Sequence, residues 1–140
     1  MGGDLTVPDS ILKKATPLLR YIPYFSSHSM VYCRRVSAKE QQNGSFVFGY
    51  PEYEREFLEF IDEVENIDIM DCSYPETIKK KTGQTDYRKA LPEIERADIE
   101  LTLALLTAMI RHEHFCNGAW DIAAKNGWFL SVLNRLKELC

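Results

Sequence analysis

The chain has 140 residues, of which 45% are hydrophobic and 27% are charged, and its formal net charge is -4 at pH 7. This length and apolar content exclude a disordered segment and predict a single domain, residues 1–140, with its own hydrophobic core. The acidic charge disfavours binding to nucleic acid, and no apolar run approaches the roughly 18 residues that cross a membrane. We therefore expect a soluble, cytoplasmic protein.

Four cysteines are spread along the chain at wide and irregular spacings, with no CxxC pair among them. In a chain of this size that pattern is typical of free thiols in a reducing compartment, and not of a disulfide scaffold. The N-terminus also lacks the basic stretch followed by an apolar stretch that marks a signal peptide. Both features favour the cytosol.

The N-terminal part of the chain predicts a helix followed by a short β-hairpin. Apolar residues at helical spacing predict a helix over residues 8–25, with a break or kink at Pro17 because proline has no N–H to donate. Residues 29–49, approximately, are rich in strand-forming side chains on both sides of Asn43–Gly44, which is a strong turn signal. We interpret this second segment as the hairpin.

The middle of the chain predicts three further helices. Residues 51–65 have an amphipathic pattern whose apolar face includes Tyr53 and Phe57. A second, short helix ends by Thr82–Gly83, where the glycine suits a helix end. A third helix over residues 87–97 contains a proline that breaks it.

The longest predicted helix runs from about residue 99 to 116, and Asp98 caps its start. Its apolar residues surround almost the whole circumference, which predicts a buried central helix. Two shorter helices follow, over residues 119–125 and 128–139, after glycines that permit sharp turns. Together these elements predict a mostly helical α+β domain with a C-terminal helical corner.

The densest group of polar residues lies where the central helix ends, at residues 111–118. From this corner and the helix after it we select Arg111, Glu113 and Trp120 as candidate binding residues. For Glu113 we favour a different, structural role over ligand binding. In that role its carboxylate accepts hydrogen bonds from N–H groups at the start of the 119–125 helix. That helix end attracts an anion because its first N–H groups lack helical partners.

The same corner contains three side chains of metal-ligand type. His112 and Cys116 share a helical face, but His114 points elsewhere, so at most two converge, whereas structural zinc sites are almost always four-coordinate. We predict no metal, no cofactor and no catalytic residue. We also expect Cys116 to be a buried, inert thiol and Phe115 to be a core residue.

Residues 119–139 have a spacing that is similar to a helix-turn-helix: a small residue, then a glycine, then apolar positions. The match is imperfect, because Asn126 lies where an apolar residue is usual. The second helix also begins with Phe129–Leu130, where polar groups should meet base edges. An ordinary helical corner is the better interpretation of this segment.

Three motifs stand out along residues 44–139: Tyr50-Pro51-Glu52-Tyr53, Tyr74-Pro75-Glu76 and, most specific of all, Arg111-x-Glu113-x-Phe115-Cys116-x-Gly118. In these motifs the chain resembles a family of small bacterial proteins known only as a domain of unknown function. The resemblance implies no activity. It does imply a cytosolic bacterial protein, and it points to the same polar corner.

We therefore predict a non-catalytic interaction module of a bacterial cytosol that binds a protein partner or a small ligand. We expect no membrane partner, and the sequence is compatible with a homo-oligomer as well as with a monomer. One alternative is an enzyme that uses Arg111, Glu113 and Cys116. The other is a helix-turn-helix-like domain that binds nucleic acid through residues 119–139.

Overall fold

The computed structural model describes residues 10–26, 32–36, 39–40, 46–47 and 50–140. Residues 10–15 are helical, and the chain continues as a 3-10 helix, Thr16–Tyr21, and helix α1, Ile22–Ser26. A proline in the first turn of the 3-10 helix produces the predicted break, since its ring cannot continue the α-helical hydrogen bonds. The predicted start of this helix, at residue 8, lies outside the described residues.

In the described residues that come next there are four short strands: β1, Cys33–Val36; β2, Lys39–Glu40; β3, Phe46–Val47; and β4, Tyr50–Tyr53. β1 pairs with β4 and β2 pairs with β3, both antiparallel, in two two-stranded sheets. The pairing extends beyond the predicted hairpin segment, because Tyr53 lies opposite Cys33. The predicted turn at Asn43–Gly44 lies outside the described residues.

Helices make up the regular structure from residue 55 onwards. In chain order they are α2, Arg55–Asn66; α3, Tyr74–Thr82; α4, Tyr87–Ala90; a second 3-10 helix, Leu91–Arg96; α5, Ile99–His112; α6, Ala119–Lys125; and α7, Trp128–Leu139. The predicted mostly helical domain is confirmed. None of the helices in the described part of the chain is long and apolar enough to cross a membrane.

Helix α2 begins later than its sequence pattern predicts. Its first residue is Arg55, because Tyr50–Tyr53 forms strand β4 and Glu54 is extended in the N-cap position. Tyr53 therefore lies on a strand and not on the helix. Its ring still packs against Phe57, with 5.0 Å between the ring centroids.

Helix α5 is the centre of the core, as predicted. All its residues from Leu101 to Ile110 are buried, and it packs against α3, α4, α6 and α7. The Asp98 carboxylate caps its start by accepting a hydrogen bond from the Leu101 N–H at 2.9 Å. A buried threonine, Thr107, satisfies its hydroxyl by donating to the Leu103 carbonyl at 2.7 Å.

The end of α5 differs from the prediction. The helix ends at His112 and not near residue 116. Phe115 is 82% exposed and Cys116 is also exposed, so the prediction that both are core residues is wrong. The physical reason is that the chain turns after His112 towards α6. The prediction placed both residues in the core by continuing the helical period, but residues in this turn do not follow that period.

Four phenylalanine rings connect the N-terminal segment to the C-terminal helix. Phe25 of α1 lies 4.9 Å from Phe60 of α2 and 5.4 Å from Phe129 of α7, measured between ring centroids. Phe57 completes the group at 5.7 Å from Phe129. Such close aromatic packing adds to the free energy gained by burying the rings.

Candidate functional site

Glu113 joins the end of α5 to the start of α6. Its Oε2 accepts a hydrogen bond from the Gly118 N–H at 2.9 Å, and its Oε1 accepts one from the Trp120 N–H at 2.9 Å. Gly118 precedes α6 with a φ of 91°, a conformation that glycine adopts without steric cost. The N–H groups are those that a helix start leaves without partners, so the hydrogen bonding predicted for Glu113 is observed.

Tyr53 contributes a third hydrogen bond to this carboxylate. Its hydroxyl donates to Glu113 Oε1 at 2.9 Å and accepts from the Asp121 N–H at 3.2 Å. Because Tyr53 lies on β4, the bond connects the strand to both helices. Both oxygens of Glu113 are therefore occupied by partners within the protein.

Trp120 is part of the same structural corner. Its indole Nε1–H donates to the Ile110 carbonyl at 3.0 Å. The ring centroid lies 5.2 Å from that of Tyr53 and 6.1 Å from that of Phe57. The half-buried indole is thus held by packing and hydrogen bonding, and it presents only part of its surface to a ligand.

Arg111 lies apart from the other two candidate binding residues. Its side chain is exposed and makes no hydrogen bond or ion pair with the residues that the structure describes. The neighbouring buried carboxylate, Asp121, is paired instead with Lys125 at 2.9 Å. The structure brings Glu113 and Trp120 together and leaves Arg111 outside, so a binding role for all three stays a prediction.

A cleft of about 400 Å³ lies beside this corner, between α3, α4 and the C-terminal end of α5. We call it the aromatic cleft, because three aromatic rings, those of Tyr74, Tyr87 and Phe115, line it. Buried Ile78 and Ala108 also line it. The remaining lining residues are Pro75, Thr85, Asp86, Arg88 and His112. A cleft of this size, lined by both apolar and polar side chains, lies within the range of small-molecule sites.

His112 and Tyr87 form a polar pair in the aromatic cleft. The Tyr87 hydroxyl lies 2.7 Å from His112 Nδ1, and the two rings meet edge to face with centroids 5.4 Å apart. Burial raises the pKa of Tyr87 to about 12, so its hydroxyl stays protonated at neutral pH. This hydrogen bond holds the Tyr87 and His112 rings in position.

The sequence analysis did not select the residues of the aromatic cleft. They come from three separate segments of the chain, and only the packing of α3 and α4 against α5 brings them together. One signal was present: Tyr74, Pro75 and Phe115 belong to the motifs that carry the family resemblance. That signal did not show that the three lie side by side.

Within the described residues, no group of three or more His, Cys, Asp or Glu side chains is placed to hold a metal ion. His112 uses its Nδ1 for Tyr87, and Cys116 is exposed in the turn after α5.

No curated protein matches the chain, and no solved structure does. The sequence model of a family of unknown function, DUF6508, matches residues 12–140. This range is longer than the predicted resemblance, which began near residue 44. The resemblance is confirmed, and the chain belongs to DUF6508, a family of unknown function.

Proposed function

We propose that this chain is a non-catalytic binding module and that the aromatic cleft is its site for a small aromatic ligand. The observation that carries the proposal is the position of Phe115, a large apolar side chain that is 82% exposed on the cleft. A solvated ring that lines the same cavity of about 400 Å³ as Tyr74 and Tyr87 can contact an aromatic ligand there. The cavity volume suits a ligand of one or two rings and not a protein surface.

The geometry of the corner supports binding over catalysis. An enzyme based on Arg111, Glu113 and Cys116 needs a carboxylate that is free to exchange a proton. Both oxygens of Glu113 are instead occupied by the N–H groups of α6 and by Tyr53. An acid or base must lie within hydrogen-bond reach of the proton that it transfers, and this carboxylate is already committed to the fold.

The corner of α6 and α7 offers little to nucleic acid. Lys125 pairs with Asp121, and Arg135 donates to the Ala97 carbonyl at 2.8 Å. The first turn of α7, which would enter the groove, buries Phe129. Affinity for nucleic acid depends on cations that are free to contact phosphates, and these two are already in use.

We place the module in the bacterial cytosol. The exposed thiols Cys72, Cys116 and Cys140 are unpaired, which suits a reducing compartment. The net charge of -4 agrees with a protein that works away from anionic membrane surfaces and nucleic acid.

The test uses a neutral two-ring probe, naphthalene-2-carboxamide, titrated into the protein and followed by NMR. We expect saturable binding with shifts at His112 and Tyr87, and about tenfold weaker binding to the Phe115→Ala variant, because a well-packed aromatic contact is worth roughly 1 kcal/mol or more. Leu58→Ala is the matched control, since Leu58 is also an exposed apolar residue, 45% exposed, but lies on α2 away from the cleft. Absence of binding, or equal losses in the two variants, would overturn the proposal.

A further inference from the structure

Six of the residues that line the aromatic cleft have polar side chains, and their partners decide which ligand groups the cleft accepts. They are Tyr74, Thr85, Asp86, Tyr87, Arg88 and His112. Asp86 is the one acidic residue among them. A ligand meets only those polar atoms that the fold leaves without a partner.

Most of the acceptor capacity of the Asp86 carboxylate is used by Arg88. Its Oδ1 accepts from the backbone N–H of Arg88 at 2.9 Å and from Nε at 3.1 Å, and its Oδ2 accepts from Nη2 at 3.0 Å. Three of its roughly four acceptor positions are therefore taken, and its charge is paired with the Arg88 guanidinium. It also holds the guanidinium group in a fixed orientation, which removes much of the entropy cost of using that group.

Arg88 keeps donors that face solvent. Its side chain is 54% exposed, and Nη1 makes no hydrogen bond to any described residue. A guanidinium group has five N–H donors, and the contact with Asp86 uses only those on Nε and Nη2. The outer N–H groups of Arg88 are thus free at the cleft.

His112 also presents a donor. The Tyr87 hydroxyl has no other acceptor among the described residues, so we assign its proton to the hydrogen bond with His112 Nδ1. In a neutral imidazole the proton then lies on Nε2, which makes Nε2 a donor.

From this set of donors we infer that the ligand is a small aromatic carboxylate, held by its ring against Phe115 and by its carboxylate on Arg88 and His112. The inference rests on the proposed function and adds the charge of the ligand. The hydroxyls of Tyr74 and Thr85 adapt to either role, so the fixed groups at the cleft, Arg88 and His112, are donors that require an acceptor. An ammonium group would find there only a carboxylate that is already paired with Arg88.

The experiment compares naphthalene-2-carboxylate with its neutral amide and with 2-naphthylmethylamine by isothermal titration calorimetry at pH 7. We expect the carboxylate to bind the wild-type protein about tenfold or more tightly than the amide, which corresponds to one charge-assisted hydrogen bond. The amine should bind more weakly than the amide. An NMR shift of the His112 imidazole nitrogens with the carboxylate, and a smaller one with the amide, is expected in parallel.

Two arginine variants distinguish binding of the carboxylate at the cleft from a general effect of the protein's net charge. Arg88→Gln should remove the preference for the carboxylate and leave the affinity for the amide unchanged. Arg96→Gln is the matched control, because this arginine is exposed at the end of the second 3-10 helix and does not line the cleft, so the preference should persist. Both variants are first checked by circular dichroism for wild-type helix content.

The outcomes distinguish the two proposals. Equal affinity of the wild-type protein for carboxylate and amide would overturn the inference that the ligand is anionic, but it would not affect the proposal of an aromatic site. Equal loss of the preference in Arg88→Gln and Arg96→Gln would also overturn it, since net charge alone would then explain the result. If none of the three probes binds, the aromatic cleft itself is refuted.

Discussion

Replacing Glu113 by glutamine tests whether the corner between α5 and α6 is held by this carboxylate. Glutamine keeps one carbonyl oxygen, which can still accept from the Tyr53 hydroxyl and the Trp120 N–H. Its amide NH₂ group then faces the N–H of Gly118, which is buried. One hydrogen bond is lost, and a buried donor is left facing another donor.

The size of the effect follows from these contacts. A buried donor without its acceptor costs about 1 to 3 kcal/mol, and loss of a negative charge at a helix N-terminus costs about 0.3 to 1 kcal/mol. Because Glu113 is half-buried and water reaches part of it, we take the lower part of the sum, about 1 to 3 kcal/mol. For a domain of this size each kcal/mol lowers the Tm by about 4 °C, so we expect a decrease of roughly 4 to 12 °C.

Urea denaturation and thermal melting, both followed by circular dichroism, measure the loss. Glu95→Gln is the matched control, because Glu95 is exposed and makes no hydrogen bond or ion pair with the described residues. That variant should stay within about 0.5 kcal/mol of the wild-type protein. If Glu113→Gln is as stable as this control, the three hydrogen bonds do not stabilise the fold and the reasoning is refuted. A more stable variant would indicate a residue that is kept for function at the expense of stability.

Three further predictions concern residues outside this contact. Phe115→Ala should change the free energy of unfolding by no more than about 0.5 kcal/mol in urea denaturation, because the ring is already exposed. A loss of about 3 kcal/mol would instead indicate that the ring is buried in the core. Cys116 should react with a thiol reagent in the folded protein, and Cys116→Ser should lower the number of reactive thiols by one; protection of Cys116 until unfolding would contradict its exposure. Asp98→Ala should cost about 1 kcal/mol at pH 7, because the cap on the Leu101 N–H is lost. Burial raises the pKa of Asp98, but hydrogen bonds from Lys81 and the Leu101 N–H outweigh burial and hold the pKa below its usual value. The stabilisation by the Asp98 carboxylate is therefore complete above the unfolded-state pKa and is lost as pH falls through the lower folded-state pKa. If the wild-type protein and the Asp98→Ala variant differ in free energy of unfolding by the same amount at pH 7 and at pH 2, this reasoning is contradicted.

The helix ends could be predicted from the sequence wherever a short local signal sets them. Asp98 caps α5 through its own side chain, and Gly83 ends α3 with a φ of 78°. Both effects involve only residues within one turn, so the residue type alone carries the information. Gly127, with a φ of 77°, likewise separates α6 from α7.

The strand at Tyr50–Tyr53 could not be predicted in this way. Tyr53 and Phe57 have helical spacing, and a proline at residue 51 suits a first helical turn. What decides the conformation is the pairing of β4 with β1, whose residues lie far away in sequence. A local pattern contains no information about such a partner, and here the pairing overrides the local preference.

The candidate site was predicted in part. The hydrogen bonding of Glu113 followed from a carboxylate placed just before a helix start, which is local physics. The exposure of Phe115 did not follow, because an apolar residue in a sequence does not reveal where a helix turns away from the core. The cleft also depends on Tyr74 and Tyr87, which only the tertiary packing brings to His112.

The complete burial of α5 has a consequence for synthesis on the ribosome. Ten successive residues of this helix, Leu101–Ile110, have no face towards water, and one of the elements that covers them is α7. Since α7 is translated after α5, the nascent chain carries an uncovered apolar helix until Trp128–Leu139 has left the exit tunnel. Exposed apolar surface of this kind promotes aggregation. A chain that lacks α7 would therefore expose the face of α5 that α7 covers, whereas the presence of α7 lets Phe129 reach Phe25 and close the core.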